Sequence, residues 1–252
     1  MPNRYAWLAL GIGAYLAFAL SLLPAGTAYR LFAPPELRLA GVDGTVWSGR
    51  AALGSAAGLA LHDISWNLAV LPLFTARAAG HVQARLSDGF VDADVSASPS
   101  RVVLRNVRAS TSVAALSPLV PLDGVRGLLS LELARVELRD AWPVAIVGRG
   151  RIGELAVPPL LAGEHAELIP LGSYELTFNE TDGAGLEASF RDTSGPLEVA
   201  GTLSLDPQRR YRLEGVAAAR PNATRELVQG LQLMTGEPRG DGKSPFELSG
   251  SL

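Results

Sequence analysis

Residues 81–97 read HVQARLSDGFVDADVSA. Val82, Ala84 and Leu86 alternate with His81, Gln83 and Arg85; beyond Ser87-Asp88-Gly89, Val91, Ala93, Val95 and Ala97 alternate with Asp92, Asp94 and Ser96. Side chains on a strand point to opposite faces in turn, so a period of two is the mark of a strand with one apolar and one wet face. Asp-Gly between two such runs favours a tight turn. The stretch is a β-hairpin, and an antiparallel sheet with one solvated side is the architecture it implies.

The same rhythm extends in both directions. Upstream, Ile64, Trp66 and Leu68 share a face, and glycines at 41, 44 and 49 punctuate a short apolar strand in the way bulges do. Downstream, Arg101 to Ala109 reads as one strand. Leu129, Leu131 and Leu133 then give way to Val136 and Leu138, a slip of face that predicts a bulge near Ala134-Arg135. Tyr174, Leu176 and Phe178, then Leu186, Ala188 and Phe190, then Leu197, Val199, Leu203 and Leu205 follow, with Tyr211, Leu213 and Gly215 opening another strand. Strands returning every 10–14 residues are spaced as a meander is. One helix interrupts them: Asn222 or Thr224 caps it, Leu227, Val228, Leu231 and Met234 form its stripe, and Gly236 stops it. The predicted fold is mainly β, a curved antiparallel sheet, open or barrel-like, with one or two short helices packed on it.

Before the strands lies a different kind of segment. Residues 5–23, YAWLALGIGAYLAFALSLL, carry no charge over nineteen positions. As a helix they extend about 28 Å, close to the ~30 Å hydrocarbon core of a bilayer. Arg4, Tyr5 and Trp7 then fall where a span meets the headgroups. A cleaved leader is the competing reading, but its apolar region is usually shorter and Gly26-Thr27-Ala28 is a poor cleavage site. The expected division is a tail at 1–4, a transmembrane helix at 5–23, a linker at 24–38 containing Pro34-Pro35, and a β-rich domain at 39–252. Arg4 and the amino terminus before the span, against Arg30 and Arg38 after it, give only a slight bias to an amino terminus inside the cell.

Composition removes several classes of function. A net charge of −3 and a pI near 5.7 leave no basic footprint for nucleic acid. Without cysteine there is no thiol nucleophile, zinc knuckle or iron–sulfur ligand set. Gly148-Arg149-Gly150-Arg151-Ile152-Gly153 matches a dinucleotide fingerprint in letters only, because Pro158-Pro159 leaves no room for the helix that must open there. His62, His81 and His165 stand in unrelated settings, and no hydrolase, zincin or phosphate-loop signature occurs. No catalytic residue, cofactor site or metal site is assigned. Trp47, Trp66 and Trp142 are the candidate structural or interface anchors.

The order of these pieces resembles the GspN family, the N component of the bacterial type II (general) secretion pathway. The resemblance is carried by the single N-terminal span, by Gly44-Thr45-Val46-Trp47-Ser48-Gly49 followed by Ile64-Ser65-Trp66-Asn67-Leu68, and by a C-terminal run. That run holds Leu171-Gly172-Ser173-Tyr174, the segment from Gly195 to Leu203, Tyr211-Arg212-Leu213-Glu214-Gly215 and the helix leading to Asp241-Gly242-Lys243. It implies an inner-membrane protein with a cytoplasmic amino terminus and a periplasmic β-domain, a non-enzymatic accessory part of the machine that exports folded proteins across the outer membrane. Its expected partners are the membrane and other secretion components, with no nucleic acid and no small-molecule substrate. Residues alone leave a second reading open, a membrane-tethered carrier whose greasy sheet face takes a lipid. They leave a third, an outer-membrane barrel with a cleaved leader, which an aromatic content of 6% argues against.

Overall fold

A computed structural model describes residues 11–12, 15, 18–19, 21–32, 37–56, 58–69, 78–98, 100–118, 124–140, 142–159, 167–180, 185–235 and 242–251. Among the described residues thirteen strands follow one another as β1 (Leu37–Gly44), β2 (Ser48–Ala56), β3 (Leu59–Ala69), β4 (Ala78–Leu86), β5 (Gly89–Ser98), β6 (Arg101–Ser112), β7 (Arg126–Arg139), β8 (Trp142–Val157), β9 (Ile169–Phe178), β10 (Leu186–Ser194), β11 (Leu197–Leu205), β12 (Arg210–Ala219) and β13 (Ser244–Ser251). Helix α1 (Ala25–Phe32) precedes them, and α2 (Arg225–Thr235) lies between the last two. Each strand pairs antiparallel with its sequence neighbour, and β1 and β13 stand at the two edges of one open sheet. The expected meander is present, and the sheet is open, not barrel-like.

The hairpin at 81–97 has the register its alternation predicts. Leu86 faces Gly89 and Ala84 faces Val91, so Ser87 and Asp88 make the turn. A Cβ on Gly89 would lie 1.8 Å from the Ser110 carbonyl oxygen, so only glycine lets β6 approach there. Asp88 accepts hydrogen bonds from the Thr111 hydroxyl at 2.9 Å and the Ser112 amide at 3.4 Å, tying the turn to β6.

Bulges preserve the apolar face where strict alternation would lose it. Pairing of β7 with β8 slips between Leu133 and Arg135, as the sequence predicts, so Leu129, Leu131 and Leu133 stay on one side with Val136 and Leu138. Directly across from Ala134 on β6, Asn106 adopts φ 51° and flips the same face. Arg101–Ala109 lies within the single strand β6, as expected, and Asn106 takes up the left-handed region there because a short amide side chain tolerates it. Asp63 (φ 47°) does the same on β3, which brings Leu61 to the side of Ile64 and Trp66.

Small residues set the curvature. On the apolar face the row Ala109–Leu131–Gly150–Leu176–Phe190–Gly201 runs directly across strands β6 to β11. A Cβ on Gly150 would stand 3.0 Å from Leu131 on one side and 3.7–3.8 Å from Leu176 and Phe178 on the other, so side chains of β7 and β9 close in over β8. Cα atoms of β8 and β10 accordingly come within 8 Å, whereas two flat interstrand spacings would hold them about 9.6 Å apart. The apolar face is therefore concave here. Aromatic rings cover glycines in four directly paired positions: Trp66 over Gly49, Phe190 over Gly201, Phe246 over Gly215 and Tyr211 over Gly250. Each ring shields a bare backbone that would otherwise weaken its strand.

The convex face is polar and alternates in charge. Asp92, Arg108, Glu132 and Arg149 lie directly opposite one another across β5 to β8. Beside them Glu137, 3% exposed, receives hydrogen bonds from Arg101 and Arg135 at 2.6 Å each and from Arg139 at 3.2 Å. Burial pushes its carboxyl up, but the three guanidiniums outweigh that and hold it below its ordinary range.

Within the expected linker at 24–38, Ala25–Phe32 are helical. Pro24 bridges Thr45, the Val46 amide donates to the Leu23 carbonyl at 3.0 Å, and Thr27 and Ala28 donate to the Pro24 carbonyl, opening α1. Ala25 is buried, α1 packs on β1, and the Leu39 amide donates to the Tyr29 hydroxyl at 2.8 Å. Pro34-Pro35 lie outside the described residues. Within the apolar run, Gly11, Ile12, Tyr15, Phe18, Ala19 and Ser21 are helical, with Ile12, Tyr15 and Phe18 more than half exposed. Among the described residues no helix is long and apolar enough to cross a membrane.

Two stability measurements test this account. Gly201→Ala drives a methyl toward the Glu214 carbonyl and the Phe190 ring, and urea denaturation should show a loss of about 1–3 kcal/mol. Gly230→Ala in α2 meets open space and should gain about 0.5–1 kcal/mol. Because the folded Glu137 carboxyl is held low, its contribution is present above the unfolded value and is lost as pH falls through the folded one. Glu137→Gln should cost about 1–3 kcal/mol at pH 7, and its gap to the parent should close below about pH 4; equal gaps at both pH values would refute the assignment.

Candidate functional surface

The turns of the meander divide between two rims. One carries the β1–β2, β7–β8 and β11–β12 turns and the start of β1's partner helix; the other carries the β2–β3, β4–β5 and β10–β11 turns and, beyond β12, α2. The apolar run joins the first, through the bonds of Leu23 and Pro24 to Val46 and Thr45. That edge is the near rim.

All three candidate tryptophans sit toward the near rim. Trp47 is in the β1–β2 turn, where its carbonyl accepts from the Leu68 amide at 2.6 Å. Trp66, near the end of β3, donates its indole N–H to the Val46 carbonyl at 3.0 Å and packs on the apolar side with Ala51, Ile64 and Ala84. Trp142 opens β8, with the Arg209 guanidinium from the β11–β12 turn 4.9 Å from its ring centre. Trp47 and Trp66 thus share one corner, and Trp142 stands apart on β8. Arg4, Tyr5 and Trp7 lie outside the described residues.

The concave face is the second candidate surface. Ala93, Val107, Leu133 and Val136 form its buried centre, with Leu104, Leu131, Leu138, Ile146 and Phe178 packed around them. Helix α2 is seated on β12 and β13 through buried Leu227, with the Leu227 amide donating to the Thr224 hydroxyl at 3.4 Å. Tyr174, Leu176 and Phe178 remain half-buried. At the far end of this face Asp192, 6% exposed, lies 2.6 Å from the Arg220 guanidinium, which also donates to the Gly195 and Leu197 carbonyls. Burial, then the Asp192 charge, push the neighbouring Tyr174 hydroxyl up. The partner of Asp192 is 28 positions away in the chain, and no local pattern announces such a pair.

Among the described residues the polar side chains pair with one another. His81 sits between Asp94 at 2.9 Å and Asp92 at 3.0 Å, and the hydrogen bond to Asp94 leads in pushing its imidazole up. Two carboxylates around one histidine make a surface ion pair, and Asp94 also accepts from Asn106 at 2.8 Å. Among the described residues no group of histidine and acidic side chains has the arrangement of a metal site. His62 lies on β3, and His165 is outside the described residues. Residues 148–153 lie inside β8, so the glycine fingerprint opens no helix. Gly148 serves the sheet instead: a Cβ there would meet the Glu132 carbonyl oxygen at 2.4 Å.

The family model described as "Type II secretion system (T2SS), protein N" matches residues 35–247. The type II secretion system protein N of Aeromonas hydrophila is 31% identical over 263 aligned residues, covering 100% of both chains. That of Vibrio cholerae serotype O1 (strain ATCC 39315 / El Tor Inaba N16961) is 26% identical over 249, covering 91% of each. No solved structure matches the chain. The agreement spans the sheet from before β1 into β13, and on it the chain belongs to the type II secretion system protein N family.

Proposed function

We propose that this type II secretion system component is a non-enzymatic accessory subunit of the bacterial inner membrane, anchored by residues 5–23 with its amino terminus in the cytoplasm. The sheet then stands in the periplasm and offers itself to other secretion subunits. One observation carries the reading: the end of an uncharged nineteen-residue run is hydrogen-bonded directly to the β1–β2 turn, so the sheet is held at the exit of the run. The helical residues of that run present Ile12, Tyr15 and Phe18 outward, as lipid-facing side chains must be. Of the two sheet edges, β1 has α1 packed on it and β13 has α2 packed on it, and β13 is paired with a strand on one side, that of β12. The open side of β13 is suited to strand addition by another chain.

A second reading rests on the concave apolar face, on which Tyr174, Leu176 and Phe178 remain half-buried. A trough of that kind accepts an acyl chain, which makes the anchored domain a lipid-binding module. Mass spectrometry of protein purified from membranes separates the two, since a carrier retains a stoichiometric lipid.

The assembly reading is tested with photo-crosslinking side chains placed in cells at Glu247 and Ser249, exposed on β13, and at Ser87 on the far rim. Secretion components should be captured from the β13 positions and at least about fivefold less from Ser87; capture from none of them would reject it. Intact-mass analysis of the membrane fraction should find the full chain of 26.4 kDa, and a product beginning near residue 29 would reject the anchor.

A further inference from the structure

The near rim has features that a tethered domain does not need. All four tryptophans of the chain are Trp7, in the apolar run, and Trp47, Trp66 and Trp142, all toward this rim. The far rim has none. Tryptophan is enriched where hydrocarbon meets headgroup, since its ring is apolar and its N–H seeks a polar partner. Trp47 is two residues from Thr45 and one from Val46, which bond to Pro24 and Leu23, so this turn lies within a few ångströms of where the run ends. Trp142 opens β8, six interstrand spacings from β2, about 29 Å along the sheet. The Arg209 guanidinium lies on its ring, joining the β11–β12 turn to the β7–β8 turn on the same edge. Arginine and tryptophan in contact pair a phosphate-seeking cation with a ring suited to the ester layer.

We infer that the near rim, through Trp47 at one place and the Trp142–Arg209 pair at another, rests in the headgroup layer of a phospholipid bilayer, so that the sheet stands on the membrane edge-on. This rests on the anchored reading of residues 5–23. The occupant is the lipid surface because the rim is continuous with the run through backbone hydrogen bonds. A single attachment would leave the sheet free to swing; a second contact about 29 Å along the same edge fixes its tilt.

The chain has no native cysteine, so single cysteines report position without background. Phe18→Cys in the run, Ser48→Cys and Gln208→Cys on the near rim, and Ser87→Cys and Ser194→Cys on the far rim are each labelled with an environment-sensitive fluorophore. The full chain is reconstituted in vesicles of phosphatidylcholine and phosphatidylglycerol carrying a quencher at headgroup depth. Labels at 48 and 208 should be quenched at least about threefold more than those at 87 and 194, and Trp142→Ala should reduce quenching at 208 while leaving 48 unchanged. Quenching at 18 and 48 but not at 208 overturns the rim contact and leaves the anchor standing. Absence of quenching at 18 overturns the anchor and the rim contact together. Circular dichroism of each labelled chain shows that the sheet is intact.

Discussion

One constraint governs this molecule: a side chain's face is fixed by parity along its strand, and a single inserted residue sends everything beyond it to the other side. In a sheet of thirteen strands such errors would accumulate. The chain handles them by placing insertions opposite each other, Asn106 against Ala134, so that neighbouring strands flip together and their pairing survives. The concave lining then stays apolar from Val102 and Leu104 through Val107 and Ala109 on β6, and from Leu129 to Leu138 on β7. Curvature follows from the same bookkeeping, since glycines at Gly148 and Gly150 give the side chains of β7 and β9 space to meet.

Much of this was legible beforehand because parity is a local property. The 81–97 hairpin, the slip at Ala134-Arg135, the Tyr174–Leu176–Phe178 face and the helix capped by Thr224 are all written in neighbouring letters. Less legible was whatever depends on distant letters. Glu137 acquires Arg101 from the preceding strand, and Asp192 acquires Arg220 across β11. Pro24 meets Thr45, so a stretch that reads as a loose connection carries a clamped helix. The tryptophans were legible as anchors of some kind, but their common edge emerges only when the strands are laid side by side. Open versus closed was undecidable from alternation, which is identical in both.

The functional picture has the same physical root. Strands that alternate faithfully produce one greasy and one charged surface, and the charged one neutralises itself: Asp92, Arg108, Glu132 and Arg149 in a row, Glu175 with Arg191, His81 between two aspartates. Among the described residues these polar side chains are engaged with one another. What the sheet offers instead is geometry, namely an edge strand, a lined hollow and a rim studded with indoles, which are means of holding and being held. That suits a member of a secretion system family whose named relatives are components of a machine.

The unbroken order of the sheet, every strand beside the one before it, bears on how such a chain reaches its native state. Loop-closure entropy is lowest when partners are close in sequence, and no strand here waits for a remote one. A polypeptide emerging amino terminus first can therefore add one ribbon at a time to a growing edge, with α1 already shielding the side that came first. At any moment the single unpaired border is the newest one, and completion consists of stopping rather than closing.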